Sequence, residues 1–225
     1  MRLATRVWGD GPRTAVLVHG IMSDSRGWSR VAPAIAEHGY RVVAVDLPGH
    51  GASGPAPVCT PAALAADLLD TLPVAPDLAI GHSLGSAALL LAVPRLRCTR
   101  AVHCDPAWVP RSRDLDGLRA GRHATWRELR AAHPRWHDDD ITAERQALAT
   151  WDPASVTVLR HLPGLPDIPA VPSLVLLAGP SERISPAQAR ALSRRGWHVR
   201  TVDGAGHTVH RDDPAGFLRA LRGWL

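Results

Sequence analysis

Residues 78–86 read LAIGHSLGS, and residues 83–93 continue as SLGSAALLLAV. A short apolar run ends in a serine, with Gly81 two places before it and Gly85 two places after it. The run has the length and branching of a buried strand, and the stretch after the serine reads as a buried helix of small apolar residues. A serine at such a strand-to-helix corner holds a strained backbone. Side chains two places before and after it would collide at the corner, and glycine removes them. The corner lifts the Ser83 hydroxyl above the end of a sheet, where the free N–H groups of the following helix also point. G-x-S-x-G by itself is weak; the strand before it and the helix after it distinguish it from a glycine-rich turn with an idle serine.

Further runs of the same kind lie on both sides. TAVLVHG (14–20), RVVAVD (41–46), AVHCD (101–105), SLVLLAG (173–179) and HVRTVDG (198–204) are short and rich in valine, leucine or isoleucine, and most are apolar on consecutive positions. That is the signature of strands covered on both faces of a parallel sheet. Helical stretches separate them. WSRVAPAIAEHG stops at Gly39, TPAALAADLLDTL starts with Thr60 as an N-cap and Pro61 in the first turn, and SPAQARALSRRG runs from Ser185-Pro186 to Gly196. RDDPAGFLRALRGWL closes the sequence as an amphipathic helix with Asp212 or Asp213 near its start. This alternation predicts an α/β fold with a mostly parallel, doubly wound central sheet. Only residues 106–169 break it. They hold helical pieces (DLDGLRAGRHATWRELRAAH and TAERQALATW), many prolines and four of the eight tryptophans. They predict a helical lid within a single domain spanning 1–225, too short to be a domain of its own.

The 225 residues, 45% hydrophobic and 21% charged, suffice for one large core. No run approaches the roughly 18–20 apolar residues that span a bilayer, and MRLATRVWGD lacks the apolar stretch of a signal peptide. Cys59, Cys98 and Cys104 match neither a metal spacing nor a disulfide framework. These features predict a cytoplasmic protein with buried thiols. The net charge is +5, but the sequence contains no lysine, and its arginines are interspersed with acids as in RSRDLDGLRAGR. Without a basic block or an aromatic-studded basic motif, no nucleic-acid partner is expected.

A serine hydroxyl needs a base to become a nucleophile. His207, in GAGHTVHRDD, follows the last strand-like run and precedes the final helix, with Gly204, Ala205 and Gly206 allowing close approach. His210, one turn on, is expected to face solvent. The base needs an acid to hold its tautomer. Glu182, in PSERISP after the 173–179 run, is the first candidate, Asp105 in HCDPAW the alternative, and Asp203 a distant third. The order Ser83, Glu182, His207 is the one this arrangement uses. For the oxyanion hole the candidates are the N–H groups of Leu84, at the helix start, and Ile21, in VLVHGIMS, with Met22 as second choice to Ile21.

HGIM after an early strand, DLPGHGAS (46–53), GHSLG (81–85), AGPSERISP (178–186) and GAGH (204–207) together resemble the α/β-hydrolase superfamily, in its order and across nearly the whole chain. The resemblance implies an eight-stranded sheet with the lid inserted after the sixth strand. The sequence departs from the family in two ways. RLATRVWG leaves little room for a first hairpin, and the usual aspartate of the PSER loop is glutamate here; in some members the acid follows the sixth strand instead, where this chain has Asp105. His19, His50 and His82 read as structural residues of their loops, Cys104 as a small buried residue, and the lid tryptophans as either pocket wall or lid core.

These readings predict a serine hydrolase that cleaves a carboxylic ester, thioester or lactone of a small, fairly apolar molecule through an acyl-enzyme on Ser83. It needs no metal or organic cofactor. Serine at 83 argues against the dehalogenase and epoxide hydrolase branches, which use a carboxylate nucleophile. Carbon–carbon bond hydrolysis, acyl transfer and perhydrolysis use the same triad and remain alternatives, as does a ligand-binding protein without turnover.

Overall fold

The computed structural model describes residues 1–55, 58–110 and 115–225. Seven strands, β1 (Thr5–Trp8), β2 (Arg13–Val18), β3 (Tyr40–Val45), β4 (Leu78–His82), β5 (Arg100–Cys104), β6 (Ser173–Gly179) and β7 (His198–Asp203), form one sheet in the order β1-β3-β2-β4-β5-β6-β7. Only β1 runs antiparallel, pairing Thr5 with Val45 and Trp8 with Val42. Every apolar run picked out above forms a strand; β2 to β6 are buried along most of their length, whereas β7, at the edge of the sheet, is largely exposed. Along β2, Ala15 and Leu17 face Trp28, Ile35 of α1 (Ala32–Glu37) and Phe217 of α9 (Pro214–Ala220). Val16 and Val18 face Leu68 of α2 (Pro61–Thr71) and Leu89 of α3 (Leu84–Leu96).

The eight-stranded expectation requires a correction. Residues 1–4 do not add a strand; Leu3 turns into the core and its N–H donates to Thr71 Oγ1 at 2.9 Å. The helical segment therefore follows the fifth strand of this sheet, β5, and not a sixth. Its described part comprises α4 (Leu115–Ala120), α5 (Trp126–Ala132), α6 (Asp138–Thr150) and 3₁₀ turns over Gly121–His123 and Pro153–His161. Asp114, where the first helical piece was read to begin, lies outside the described residues. The segment builds no core of its own: Leu129, Trp136, Ile141, Leu148 and Trp151 join the cluster that contains Val18 and Leu84. The closing stretch splits into α8 (Val209–Asp212) and α9, with the Asp213 side chain accepting from Gly216 N at 2.8 Å as the cap of the second. Among the described residues no helix is long and apolar enough to cross a membrane.

Local chemistry sets the helix starts. Thr60 and Ser185 accept from the third helical N–H of α2 and of α7 (Pro186–Arg194), each followed by proline. The two glycines at the β4–α3 corner have a steric cause. A Cβ on Gly81 would lie 2.8 Å from Gly85 O, and one on Gly85 would lie 2.3 Å from His19 O and 2.4 Å from Val18 O. Those atoms are backbone at the end of β2 and cannot swing away. Gly85→Ala is expected to cost about 3 kcal/mol, the upper end of overpacking. A urea titration reads this as a lower midpoint at unchanged slope, and an unchanged midpoint would show that the corner yields.

Candidate active site

Ser83 stands between β4 and α3 at φ 50°, ψ −114°, a backbone region that side chains rarely adopt. The neighbouring strand holds it there. Its N–H donates to Cys104 O at 3.0 Å, and its carbonyl accepts from Ala107 N at 3.1 Å. Both partners belong to β5 or the chain just beyond it.

Ser83 Oγ lies 3.0 Å from His207 Nε2, and His207 Nδ1 lies 2.6 Å from Asp105 Oδ2. An ionised carboxylate only accepts, so Nδ1 carries the proton and Nε2 presents its lone pair to the Ser83 hydroxyl. Asp105 is buried, at 1% exposure. Its other oxygen accepts from Ser181 Oγ at 2.5 Å and Ala178 N at 3.3 Å. The Ser181 hydroxyl in turn accepts from the N–H groups of Arg183 and Ile184, each at 3.1 Å.

Glu182, the first candidate for the acid, is not in this chain of hydrogen bonds. It is exposed, and His207 turns its Nδ1 to Asp105 instead. The reason lies in the sheet. His82 pairs with Cys104 in the β4–β5 ladder, so the residues that follow them, Ser83 and Asp105, emerge side by side. The loop after β6 aims Ser181 at the Asp105 carboxylate and leaves Glu182 outside. Asp203, the third candidate, pairs with Gly179 at the end of β7 and is exposed. Nothing in the residue pattern singled out Ser181.

Three histidines around the site, His19, His50 and His82, make hydrogen bonds within and between their loops, as read. His19 accepts from Leu47 N at 2.9 Å and contacts Gly20 O at 2.7 Å; His50 accepts from Met22 N at 3.3 Å and contacts Pro48 O at 2.9 Å. His82 Nε2 donates to His207 O at 3.0 Å and so ties the serine corner to the histidine loop. Buried His103 lies 2.8 Å from Ser86 Oγ. His210 differs from the expectation of a solvent-facing residue. It is buried and stacked on Trp28 at 4.1 Å, because α8 turns that face into the core beside Phe217. Burial lowers the pKa of all five, to about 3 for His50 and for His103. For His82 the nearby His207 and His210 add to the effect of burial, and for His210 Arg211 and His207 do. All five are neutral near pH 7.

The Ser83 hydroxyl and His207 open onto a cavity of about 350 Å³. Ile21 and Met22 line it together with Leu118, Leu129, Trp136 and Leu148 of the helical segment. Of the four tryptophans of that segment, Trp136 faces the cavity, Trp108 and Trp151 are core, and Trp126 is exposed. The backbone N–H of Leu84 opens α3, and that of Met22 donates to His50 Nε2 at 3.3 Å. Two guanidinium groups reach the cavity. Arg211 is buried against the Trp136 ring at 4.6 Å and paired with Glu144 at 2.5 Å. Arg183 lies with its Nε 3.4 Å from His207 Nδ1. Among the described residues no group of three or more His, Cys, Asp or Glu side chains is arranged to hold a metal ion.

Comparison with known proteins shows the family of the chain. A family model described as the alpha/beta hydrolase family matches residues 15–220. Esterase YbfF of Escherichia coli (strain K12) is 31% identical over 93% of this chain and 92% of its own length. The sn-1-specific diacylglycerol lipase ABHD11 of Mus musculus is 26% identical over 96% of this chain and 82% of its own. Among solved structures, a thermophilic esterase from Thermogutta terrifontis superposes with a TM-score of 0.71 at 26% identity, covering 99% of this chain and 92% of that one.

Proposed function

The chain belongs to the alpha/beta hydrolase family and is a hydrolytic enzyme; from that premise we propose that it cleaves a carboxylic ester, thioester or lactone of a small, largely apolar molecule through an acyl-enzyme on Ser83. The observation that carries the reading is the unbroken series Ser83 Oγ, His207, Asp105 at 3.0 and 2.6 Å, opening on a cavity with apolar walls. His207 Nε2 takes the hydroxyl proton as Ser83 Oγ attacks the substrate carbonyl. Asp105 holds the ring and offsets the charge of the imidazolium. The N–H groups of Leu84 and Ile21 face the developing oxyanion, where such donors lower the barrier most. His207 then returns the proton to the leaving group, and a water deprotonated by the same nitrogen releases the acid. Residues 106–169 serve as the lid, since their Leu118, Leu129, Trp136 and Leu148 line the cavity beside Ser83 and His207. A lid of this kind excludes water and shapes the pocket.

Intact mass after treatment with a fluorophosphonate tests the reading. The expected result is a single adduct on the wild type and none on Ser83→Ala, with turnover of short-chain esters or thioesters lost in the same variant. A wild type that takes no adduct and turns over no ester would overturn it.

A further inference from the structure

Arg183 stands beside the reaction centre with its hydrogen-bonding capacity unspent. Its Nε points at His207 Nδ1 at 3.4 Å. That nitrogen already gives its proton to Asp105 at 2.6 Å and has no lone pair left to accept one. Among the described residues the Arg183 side chain has no carboxylate within ion-pair distance. Glu182 points outward, and Asp105 is occupied by His207, Ser181 and Ala178. The other guanidinium of the cavity, Arg211, is neutralised by Glu144 and further bonded to Ser23 Oγ at 3.2 Å. Arg183 is therefore a half-buried, unpaired fork of donors in a cavity whose other walls are mostly apolar. Such a fork matches a carboxylate, which it can bind through two parallel hydrogen bonds.

Building on the hydrolase reading above, we infer that Arg183 is a specificity residue that binds a carboxylate on the substrate, close to the scissile carbonyl. The substrates are then monoanionic esters or thioesters of small molecules, and the anion completes the hydrogen bonding of Arg183 when it enters. The chemistry at Ser83 is unchanged; the carboxylate is a handle and takes no part in bond making.

Two matched pairs of substrates test this. Monoethyl glutarate against diethyl glutarate places the carboxylate on the acyl side, and O-acetyl lactate against its methyl ester places it on the leaving side. The wild type is expected to favour the anion in at least one pair by about tenfold or more in kcat/KM, the scale of one charge-assisted, two-pronged contact. Arg183→Gln should erase that ratio, and Arg183→Lys, which keeps the charge without the fork, should restore part of it. The neutral member of each pair reports any effect on His207 that both substrates share. Equal loss for both members would assign Arg183 to positioning His207 and overturn the inference, as would a wild type without preference for either anion. Turnover of the neutral esters in that case leaves the hydrolase reading standing. No cleavage of any ester, together with no fluorophosphonate adduct, overturns the hydrolase reading and this inference with it.

Discussion

Asp105→Asn is expected to lower kcat by about 10³–10⁴-fold, while Glu182→Gln leaves it within about twofold. The large figure follows from what an amide does at that position. Asp105 accepts from His207 Nδ1 at 2.6 Å and from Ser181 and Ala178 through its other oxygen. An asparagine keeps the shape but can turn its NH₂ toward His207, which moves the imidazole proton to Nε2. The lone pair needed by Ser83 is then gone, and no negative charge remains to offset the imidazolium. Glu182, exposed and out of reach of the ring, has nothing comparable to lose. Steady-state kinetics on an ester that the wild type turns over, with circular dichroism to verify folding, decide the matter. The reverse ranking, with Glu182→Gln the crippled variant, would return the acid to the loop after β6.

The second large effect concerns stability at acid pH. His19, His50, His82, His103 and His210 are buried, and burial holds each pKa below its ordinary value near 6.5. The unfolded chain takes up these protons as the pH falls through 6.5, and the folded chain does not. Unfolding is therefore favoured increasingly below that point, with a slope of up to about 1.4 kcal/mol per pH unit for each histidine. His50 and His103, held at about 3, stay neutral in the folded state to that pH. By pH 4 those two alone remove on the order of 5 kcal/mol, comparable to the whole stability of many domains. Tryptophan fluorescence and urea midpoints from pH 7 to pH 4 are expected to show a steep loss beginning near pH 6. A midpoint that stays flat down to pH 4.5 would refute the linkage.

How much of this was legible depended on what each residue had to satisfy. The strands were readable because burial on both faces demands unbroken apolar runs, and SLVLLAG and LAIGH became β6 and β4 at their expected bounds. The meeting of Ser83 and His207 was readable because a strained corner and a small-residue loop leave marks in the sequence around them. The carboxylate that meets His207 was less readable. A carboxylate at the end of either β5 or β6 can reach the same imidazole, and only the ladder that brings Cys104 beside His82 separates the two. His210 misled because position one turn after a loop says nothing about which face turns inward; the stack on Trp28, more than 180 residues away in sequence, decides that. The strand count went astray because RLATRVWG has room for one strand, while the resemblance supplied two.

The placement of Asp105 also determines which parts of the proposed triad can move. Ser83 and Asp105 both sit one step past the ends of adjacent, hydrogen-bonded strands, and the Ser83 N–H is itself bonded to Cys104 O. The proposed nucleophile and acid are two points on one paired strand edge. His207 alone rides on a loop, the short turn between β7 and α8. That turn is held to the serine corner through His82 Nε2 and His207 O at 3.0 Å, and a displacement of it by about an ångström would break both contacts of the imidazole at once, on the scale at which misplacement costs orders of magnitude in rate. Activity in this molecule is then a gauge of one turn's position, read against a fixed sheet.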